Sequence, residues 1–411
     1  MTPTEPAVCS GTFRRLCCVR PRIPDPERNS ARMPLAPRVM QPRTRPTDST
    51  PAPVLRIFPE LRAVHLERLP RMTDAVNLYF ATKYDMLGVD LPATVHRTTL
   101  LSAIKRLLST SHTVLELPEP LWMRFLPRWI ALAAAWHLGG LVRGRPRRIV
   151  VYAMELTPFA ILLTGGQKTP RLVTAVGKTL IGLLIRTVVD RICFASAASA
   201  DLYTSLPGVA SVPHRTILEL PEPVVSPQPA RRPAVLYLGE LSDRGGVHQL
   251  MRAWERVERD IPDARLTLVG GGPLLDTVAQ WAAEHPTTRA TTGPLPRSTA
   301  LDIVAQTRVL VAPSVPHGRW REQIGLPIKE GLAAGATIVT TRQTGLSDWL
   351  LANGHHVVPV DRNLVGRLAE SLARAIERPL EPESVSASLP LIDGRIASDA
   401  WLHEPRQEDA S

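Results

Sequence analysis

Short apolar runs alternate with amphipathic stretches along most of this chain. Val235-Leu-Tyr-Leu-Gly239, Leu266-Thr-Leu-Val-Gly-Gly-Gly-Pro273, Val309-Leu-Val-Ala-Pro-Ser314 and Ala336 to Val339 are each short and apolar. They are rich in β-branched or large aliphatic residues, and the first three end at Gly or Pro, the pattern of strands buried on both faces. Between them lie helical patterns, one through Trp254 and Val257 and one stopping at Gly335. The first half reads similarly. Leu55-Arg-Ile-Phe58, Val114-Leu-Glu-Leu117, Arg148-Ile-Val-Val-Tyr-Ala153 and Arg191 to Ser196 predict strands, and Pro118-Glu-Pro120 a turn. Asn77 to Leu87, stopped by Gly88, predicts a helix, Val89 to Leu91 a short strand, and Ala197 to Ser205 another helix. Strands alternating with helices imply parallel sheets. A chain of 411 residues exceeds what one core usually supports, so two such domains are expected.

One segment carries chemistry. Glu322-Gln-Ile-Gly-Leu-Pro-Ile-Lys-Glu330 places two carboxylates eight positions apart around Gly325, Leu326 and Pro327. Pro327 suits the first helical position, because its missing N–H would have had no partner there. Gly325 allows close backbone approach. A helix start offers unpaired N–H groups and the positive end of a dipole, which suits a phosphate. Glu322 and Glu330 would then grip hydroxyls on either side of a bound diphosphate.

The segment resembles the E-x7-E signature of family-four retaining glycosyltransferases, which have two Rossmann-like domains facing a central cleft (the GT-B fold). The resemblance covers about Arg232 to Pro379, with Ile324 where the family usually has Phe. It implies that Glu322 binds hydroxyls of the donor sugar and Glu330 the ribose, while the N–H groups of Gly325 and Leu326, with Pro327 beside them, hold the diphosphate. Gly239, the Asp243-Arg-Gly-Gly-Val247 turn with Gly246, the Gly-rich turn at Gly271, and Thr292-Gly-Pro-Leu295 with Gly293 and Leu295 complete the implied donor site. The family usually places an Arg and a Lys after the first donor strand; Glu240 and Gly245 stand there instead, so Arg244 is the expected substitute, with Arg319 and Arg321 behind it. Glu155 falls where a cleft His is common, which makes Glu322, Arg244 and Glu155 the implied catalytic set. Further departures are Gly345-Leu-Ser-Asp348 and Gly354-His355-His356, the latter expected to be a loop feature rather than a metal site.

The resemblance therefore implies an α/β protein that moves a sugar from a nucleotide-diphosphate sugar to an acceptor that the sequence does not identify, with polysaccharide and lipid-linked acceptors as candidates. No cofactor and no metal is expected, and no aspartate pair of the kind that holds a metal-bound diphosphate is found. The alternatives are a non-catalytic nucleotide-sugar binder or partner subunit, and a sugar epimerase. The expected organisation is a Pro/Arg-rich disordered tail (1–50), an acceptor domain (51–220), a donor domain (221–385) and a C-terminal segment (386–411). In that last segment a helix from Asp393 to Leu402, anchored by Trp401, crosses back to the first domain. The Pro-rich stretch from Glu219 to Arg232 would link the sheets.

The charge changes this picture little. The formal net charge is +11, and the first 50 residues supply five of those charges through nine Arg against four carboxylates. No aromatic-interleaved basic stripe occurs, so nucleic acid is not an expected partner. The four cysteines, Cys9, Cys17, Cys18 and Cys193, lack zinc-site spacing and fit a reduced, cytoplasmic compartment. Arg14-Arg15 is followed by no apolar core and is not expected to be an export signal; Met33 or Met40 could be the natural start. No uncharged apolar run reaches the ~18–20 residues of a membrane span, and Trp129 to Val142 falls short. Leu172, Val176, Leu180, Leu183 and Val188 recur at helical spacing with Lys178 and Arg186 between them and Lys168 and Arg171 upstream. This predicts a basic helix able to lie on an anionic membrane, at the inner membrane surface, as well as packing against its own domain.

Overall fold

A computed structural model describes residues 54–83, 86, 89–165, 170–224 and 232–405. The expected tail, its candidate start sites, Gly88, Lys168 and the 225–231 part of the linker lie outside these residues. The first half contains β1 (Val54–Leu61), α1 (Ala63–Arg68), β2 (Ala75–Thr82), β3 (Val95–Arg97), α2 (Leu100–Ser109) and β4 (Val114–Leu117). These are followed by α3 (Leu126–Arg143), β5 (Arg148–Ala153), α4 (Phe159–Thr164), α5 (Arg171–Val188), β6 (Arg191–Phe194), α6 (Ala197–Thr204) and β7 (His214–Thr216). The second half contains β8 (Arg232–Leu238), α7 (Val247–Asp260), β9 (Arg265–Val269), α8 (Leu275–Glu284), β10 (Arg289–Gly293), α9 (Arg297–Ala305) and β11 (Thr307–Ala312). Then come α10 (Leu326–Ala333), β12 (Thr337–Thr341), α11 (Ser347–Ala352), β13 (His356–Val358), α12 (Leu364–Glu377), α13 (Pro382–Ser388) and α14 (Gly394–His403).

Among the described residues, the strands form a seven-stranded sheet ordered β3-β2-β1-β4-β5-β6-β7 and a six-stranded sheet ordered β10-β9-β8-β11-β12-β13. Every pairing is parallel. The expected α/β architecture of two Rossmann-like sheets is thus the one found. In each sheet the strand order reverses beside the first strand, between β1 and β4 and between β8 and β11. Such switch points open a crevice at the carboxyl ends of the strands. The segments after β1, β4, β5 and β11, and Arg244 from the turn after β8, all border one cleft.

Each sheet has its own apolar core. A further buried cluster runs between them, joining Val150 and Cys193 of the first sheet to Leu236 and Leu310 of the second, to Ile328 of α10 and to Leu402 of α14. The last helix packs against β5 and β6, so the chain crosses back as expected. Asp393 caps this helix by accepting from the Arg395 N–H at 2.8 Å. Trp401 is half-buried and packs against the apolar cluster that Leu402 enters, with the Arg191 guanidinium 5.6 Å from its ring.

Two expectations in the first half fail. The described part of Asn77 to Leu87 does not form the expected helix: Ala75 to Thr82 is a strand in register with β1. The run is apolar on both faces and rich in Val, Tyr and Phe, and periodicity alone does not separate such a run from a buried helix. The polar Asn77 is accommodated in the sheet because its side chain accepts from Arg56 and donates to the Ala75 carbonyl. Val89 to Leu91 has no regular structure, and the edge strand forms at Val95–Arg97 instead.

Candidate active site

The cleft has a volume of about 940 Å³. Glu322, Gly325, Leu326, Arg244 and Glu155 all line it; Glu330, Pro327, Gly239, Gly246, Gly271, Gly293 and Leu295 do not. Glu322 sits in the loop between β11 and α10, where its carboxylate accepts from the Ser314 hydroxyl at 3.3 Å. Burial pushes its pKa up, opposed by Ser314, by the charges of Arg244 and Arg62, and by the Gly325 N–H.

α10 begins at Leu326, with Pro327 one position later than expected but within the same turn of unpaired N–H groups. Gly325 caps it at φ +88°, a conformation that favours glycine, and a Cβ there would lie 2.9 Å from the Ile328 side chain. The mouth of α10 therefore opens beside Glu322, as the sequence predicts.

Glu330, one turn further along α10, is engaged by Arg297 at the start of α9. Arg297 also grips Glu67 of α1 through two bonds of 2.6 and 3.0 Å, so the chain Glu67–Arg297–Glu330 ties the two halves together. Burial raises the Glu330 pKa and the Arg297 charge opposes this.

Arg244 is committed as well. It binds Glu240 through Nε at 2.8 Å and through Nη2, and its guanidinium lies 4.9 Å from the Trp320 ring centre. The carboxylate at 240 is thus neutralised by a neighbour within the same turn. Trp320 belongs to the Val315–Trp320 segment, whose His317 to Trp320 part lines the cleft; Arg319 reaches the first half, with Nη2 donating to the Leu163 carbonyl at 3.1 Å.

The glycines of the second half serve the loops. The turns after β8, β9 and β10 are stitched by backbone bonds, Gly239 N–H to Val269 O, Leu241 N–H to Gly271 O and Gly270 N–H to Gly293 O, each 2.9–3.0 Å. Gly246, at φ +71°, packs so closely that a Cβ would stand 2.0 Å from the Pro313 carbonyl.

On the opposite wall, the Glu155 carboxylate accepts from its own loop, from Leu156 N–H at 3.0 Å and Thr157 N–H at 2.8 Å. Behind it is Glu119, which the sequence marked only as part of a turn. One Glu119 oxygen accepts from the N–H groups of Met154 and Glu155 and from the Tyr203 hydroxyl, at 2.9, 2.7 and 3.1 Å. Burial first, and then the Glu155 charge, push its pKa up to about 7.

The floor holds charged networks that sequence reasoning missed. Lys329 binds Glu219 at 3.1 Å and Asp393 at 3.0 Å, while Arg68 and the Tyr152 hydroxyl also hold Glu219. These attractions outweigh burial and hold Glu219 down at about 2. Beneath lies a second set: Arg56 reaches Glu116 and Asp399, both at 2.6 Å, and Arg395 and His403 join them. Glu116, Asp399 and His403 could converge on a metal ion. Two guanidiniums already neutralise their carboxylates, which makes this a structural ion cluster. Arg56 and Asp399 are 343 residues apart, so no local spacing could have revealed the contact. His355 is structural too: its Nδ1 accepts from the Ile338 N–H at 3.1 Å, and burial lowers its pKa to about 4.

Residues 232–381 match the family model for group 1 glycosyl transferases. The chain is 29% identical over 197 residues to a glycogen synthase of Mycobacterium tuberculosis, covering 46% of each. It is 28% identical over 182 residues to a GDP-mannose-dependent alpha-(1-6)-phosphatidylinositol monomannoside mannosyltransferase of Mycolicibacterium smegmatis, covering 43% of this chain and 46% of that one. The matched regions span just under half the length of these relatives. Among solved structures, Anabaena HepE in complex with UDP superposes with a TM-score of 0.57 at 14% identity, covering 85% of this chain and 95% of that one. WaaG, a glycosyltransferase involved in lipopolysaccharide biosynthesis, gives 0.55 at 12%, covering 86% and 100%. Residues 232–381 therefore resemble group 1 glycosyl transferases, and the chain shares the GT-B fold of these solved structures.

Proposed function

We propose that this protein is a retaining glycosyltransferase that moves a sugar from a nucleoside-diphosphate sugar to a carbohydrate or lipid-linked acceptor, without a metal. The observation that carries this reading is the placement of Glu322 beside the open start of α10 in a cleft shared by both sheets. Breaking a sugar–diphosphate bond leaves extra negative charge on the departing phosphate oxygen. Fixed dipoles and cations aimed at that oxygen stabilise the charge as it forms. The N–H groups of Gly325 and Leu326 supply the dipoles, Glu322 orients sugar hydroxyls, and Glu330, held by Arg297, meets the ribose. The segment with Gly293 and Leu295 supports the base, and Gly239, Gly246 and Gly271 shape the loops around it. Residues 51–220 form the acceptor side, where Glu155 offers a fixed acceptor atom to an incoming hydroxyl, and 221–385 the donor side. Front-side attack needs no enzyme nucleophile.

The relatives' names favour a nucleotide-sugar donor: one is a glycogen synthase, one uses GDP-mannose, and HepE was solved with UDP. A lipid-linked acceptor is favoured by α5, which exposes Leu172 and Leu180 at 75% and 64% beside Arg171 and Lys178. No helix among the described residues is long and apolar enough to cross a membrane. The proposed place of action is the cytoplasm, with α5 in peripheral contact with an anionic inner membrane surface. The second reading, a nucleotide-sugar-binding partner subunit without turnover, is motivated by Arg244 being neutralised by Glu240.

The test is a thermal-shift panel of UDP, GDP, ADP and their sugar conjugates without metal. A shift of several degrees with one base, lost in Glu330→Ala, is expected; no shift with any nucleotide would sink the donor site. Sugar-nucleotide hydrolysis or transfer that falls at least 100-fold in Glu322→Gln separates the enzyme from the binding subunit.

A further inference from the structure

Glu330 is held from one side only. It stands one turn beyond Leu326, so it continues the face of α10 that Leu326 gives to the cleft. Arg297 Nη1 donates to Glu330 Oε1. Among the described residues Oε2 has no hydrogen-bond partner, yet it is not one of the buried polar atoms closed to solvent. One oxygen is therefore pinned and the other left open. An ionised carboxylate in that state is an acceptor for a hydroxyl of a sugar ring, and such a charge-assisted bond is stronger than one to a neutral acid.

Both the ionisation and the aim of Glu330 depend on Arg297. Burial raises the Glu330 pKa, and the Arg297 charge is the leading influence against it. The guanidinium is itself fixed. Its Nε and Nη2 donate to the two oxygens of Glu67 at 2.6 and 3.0 Å, which leaves Nη1 for Glu330. A planar fork gripped at two points has little freedom to swing, and the single nitrogen of a lysine cannot reproduce that grip. Arg297 opens α9 two positions after Leu295, so one short segment carries both the residue assigned to the base and the residue that aims the carboxylate. Its anchor Glu67 belongs to α1 of the first half, 230 residues away in sequence.

We propose that Arg297 is a positioning residue for ribose recognition: anchored by Glu67 of the first domain, it holds Glu330 so that the open oxygen meets a ribose hydroxyl. The assignment rests on the donor-site reading above, in which Glu330 meets the ribose. It makes ribose selection a property of both halves of the molecule, because the anchor of the aiming guanidinium comes from the half that lacks the two-glutamate motif.

The experiment is calorimetric titration of the full chain with UDP, GDP and ADP, each beside its 2′-deoxy and 3′-deoxy forms. Wild type is compared with Arg297→Ala, Arg297→Lys and Glu67→Gln. The wild type is expected to prefer the ribose form of one base at least tenfold over one of its deoxy forms. Arg297→Ala should cut that preference at least fivefold by weakening the ribose form, with the deoxy forms bound as before, which also shows that the variant is folded. Arg297→Lys should recover part of the preference, and Glu67→Gln should lower it by a smaller factor than Arg297→Ala. Glu330→Gln should lose most of the preference, and adding Arg297→Ala to it should change nothing further, the pattern expected of two residues acting through one contact. An undiminished preference in Arg297→Ala, or an equal weakening of all forms, would overturn this assignment while leaving the donor site standing. A preference lost in Arg297→Ala but intact in Glu67→Gln would overturn the part given to the first domain. A wild type that binds nucleotides without regard to the ribose hydroxyls would overturn the Glu330–ribose contact and this inference with it. One that binds no nucleotide would overturn the whole donor-site reading.

Discussion

Glu119 is a carboxylate with three donors on one oxygen and no cation among its hydrogen-bond partners. Its pKa of about 7 in the folded chain lies above the ordinary value of 4.5. Between these two values the folded state keeps a proton that the unfolded chain has released. Stability attributable to this group therefore falls as pH rises through that window. In Glu119→Gln this titration is absent. The variant should gain stability relative to wild type between pH 5 and pH 8, by a few kcal/mol at most. Urea denaturation at the two pH values measures this directly. His65 and His355, lowered to about 3 and about 4 by burial, pull the other way below their ordinary 6.5, but they are common to both proteins and cancel in the difference. A wild-type-to-variant difference that does not change with pH would refute the assignment. The legible site residues were those whose chemistry depends on local spacing, Glu322 and Glu330 around Gly325. Glu119 was invisible, since its partners come from β5's loop and from α6 and its own neighbours read only as a turn. Lys329 lay inside the motif, yet its partner Glu219 is 110 residues away.

At the level of elements, the sequence was most readable where a β-branched run ends in Gly or Pro. Hence the strands β8, β9 and β11 lie within a few residues of their expected places, and β12 does so behind the Gly335 that stops the helix before it. It was least readable at β2, where apolar residues on both faces erased the difference between periods of 2 and 3.6. Helix α5 was legible as a helix, and the structure adds which face is free. Ile181, Gly182 and Ile185 are buried, while Leu172, Val173, Val176, Leu180 and Leu183 are exposed. An exposed apolar stripe flanked by Arg171, Lys178 and Arg186 has the composition of a helix that settles into an anionic interface, each basic residue adding about 1 kcal/mol. The protein should co-sediment with vesicles containing anionic lipid, more weakly at high salt. The double variant Leu172→Glu and Leu180→Glu should cut partitioning at least tenfold while the melting temperature holds, because both side chains already face solvent. Equal sedimentation of variant and wild type would remove α5 from the membrane reading.

The whole molecule is fastened at the floor of its cleft. α14 follows the second sheet in sequence but packs on β5 and β6 of the first, and the apolar layer beneath it contains residues of both sheets. The polar fastening is Asp399, which accepts from Arg56 and from the Thr73 N–H, both at 2.6 Å, in a setting where Arg56 is 1% exposed. Removing one member of a buried ion pair strands its partner's charge, which commonly costs about 3–5 kcal/mol. An exposed pair such as Arg374–Glu370 contributes no more than about 1 kcal/mol. Asp399→Ala should therefore lower stability by about 3–5 kcal/mol, and Glu370→Ala should be nearly silent. Position decides the second consequence. With α14 loosened, the two sheets lose the clamp that makes them unfold together, so calorimetry of Asp399→Ala should show the single transition broadening or splitting. A single transition shifted no further than that of Glu370→Ala would mean that the apolar layer alone holds the sheets together. The ion cluster would then be a passenger between the sheets rather than their fastening. A clamp made of opposed charges, unlike a purely apolar one, has directional contacts that fix the orientation of the two halves, and a site assembled from residues of both sheets depends on that orientation.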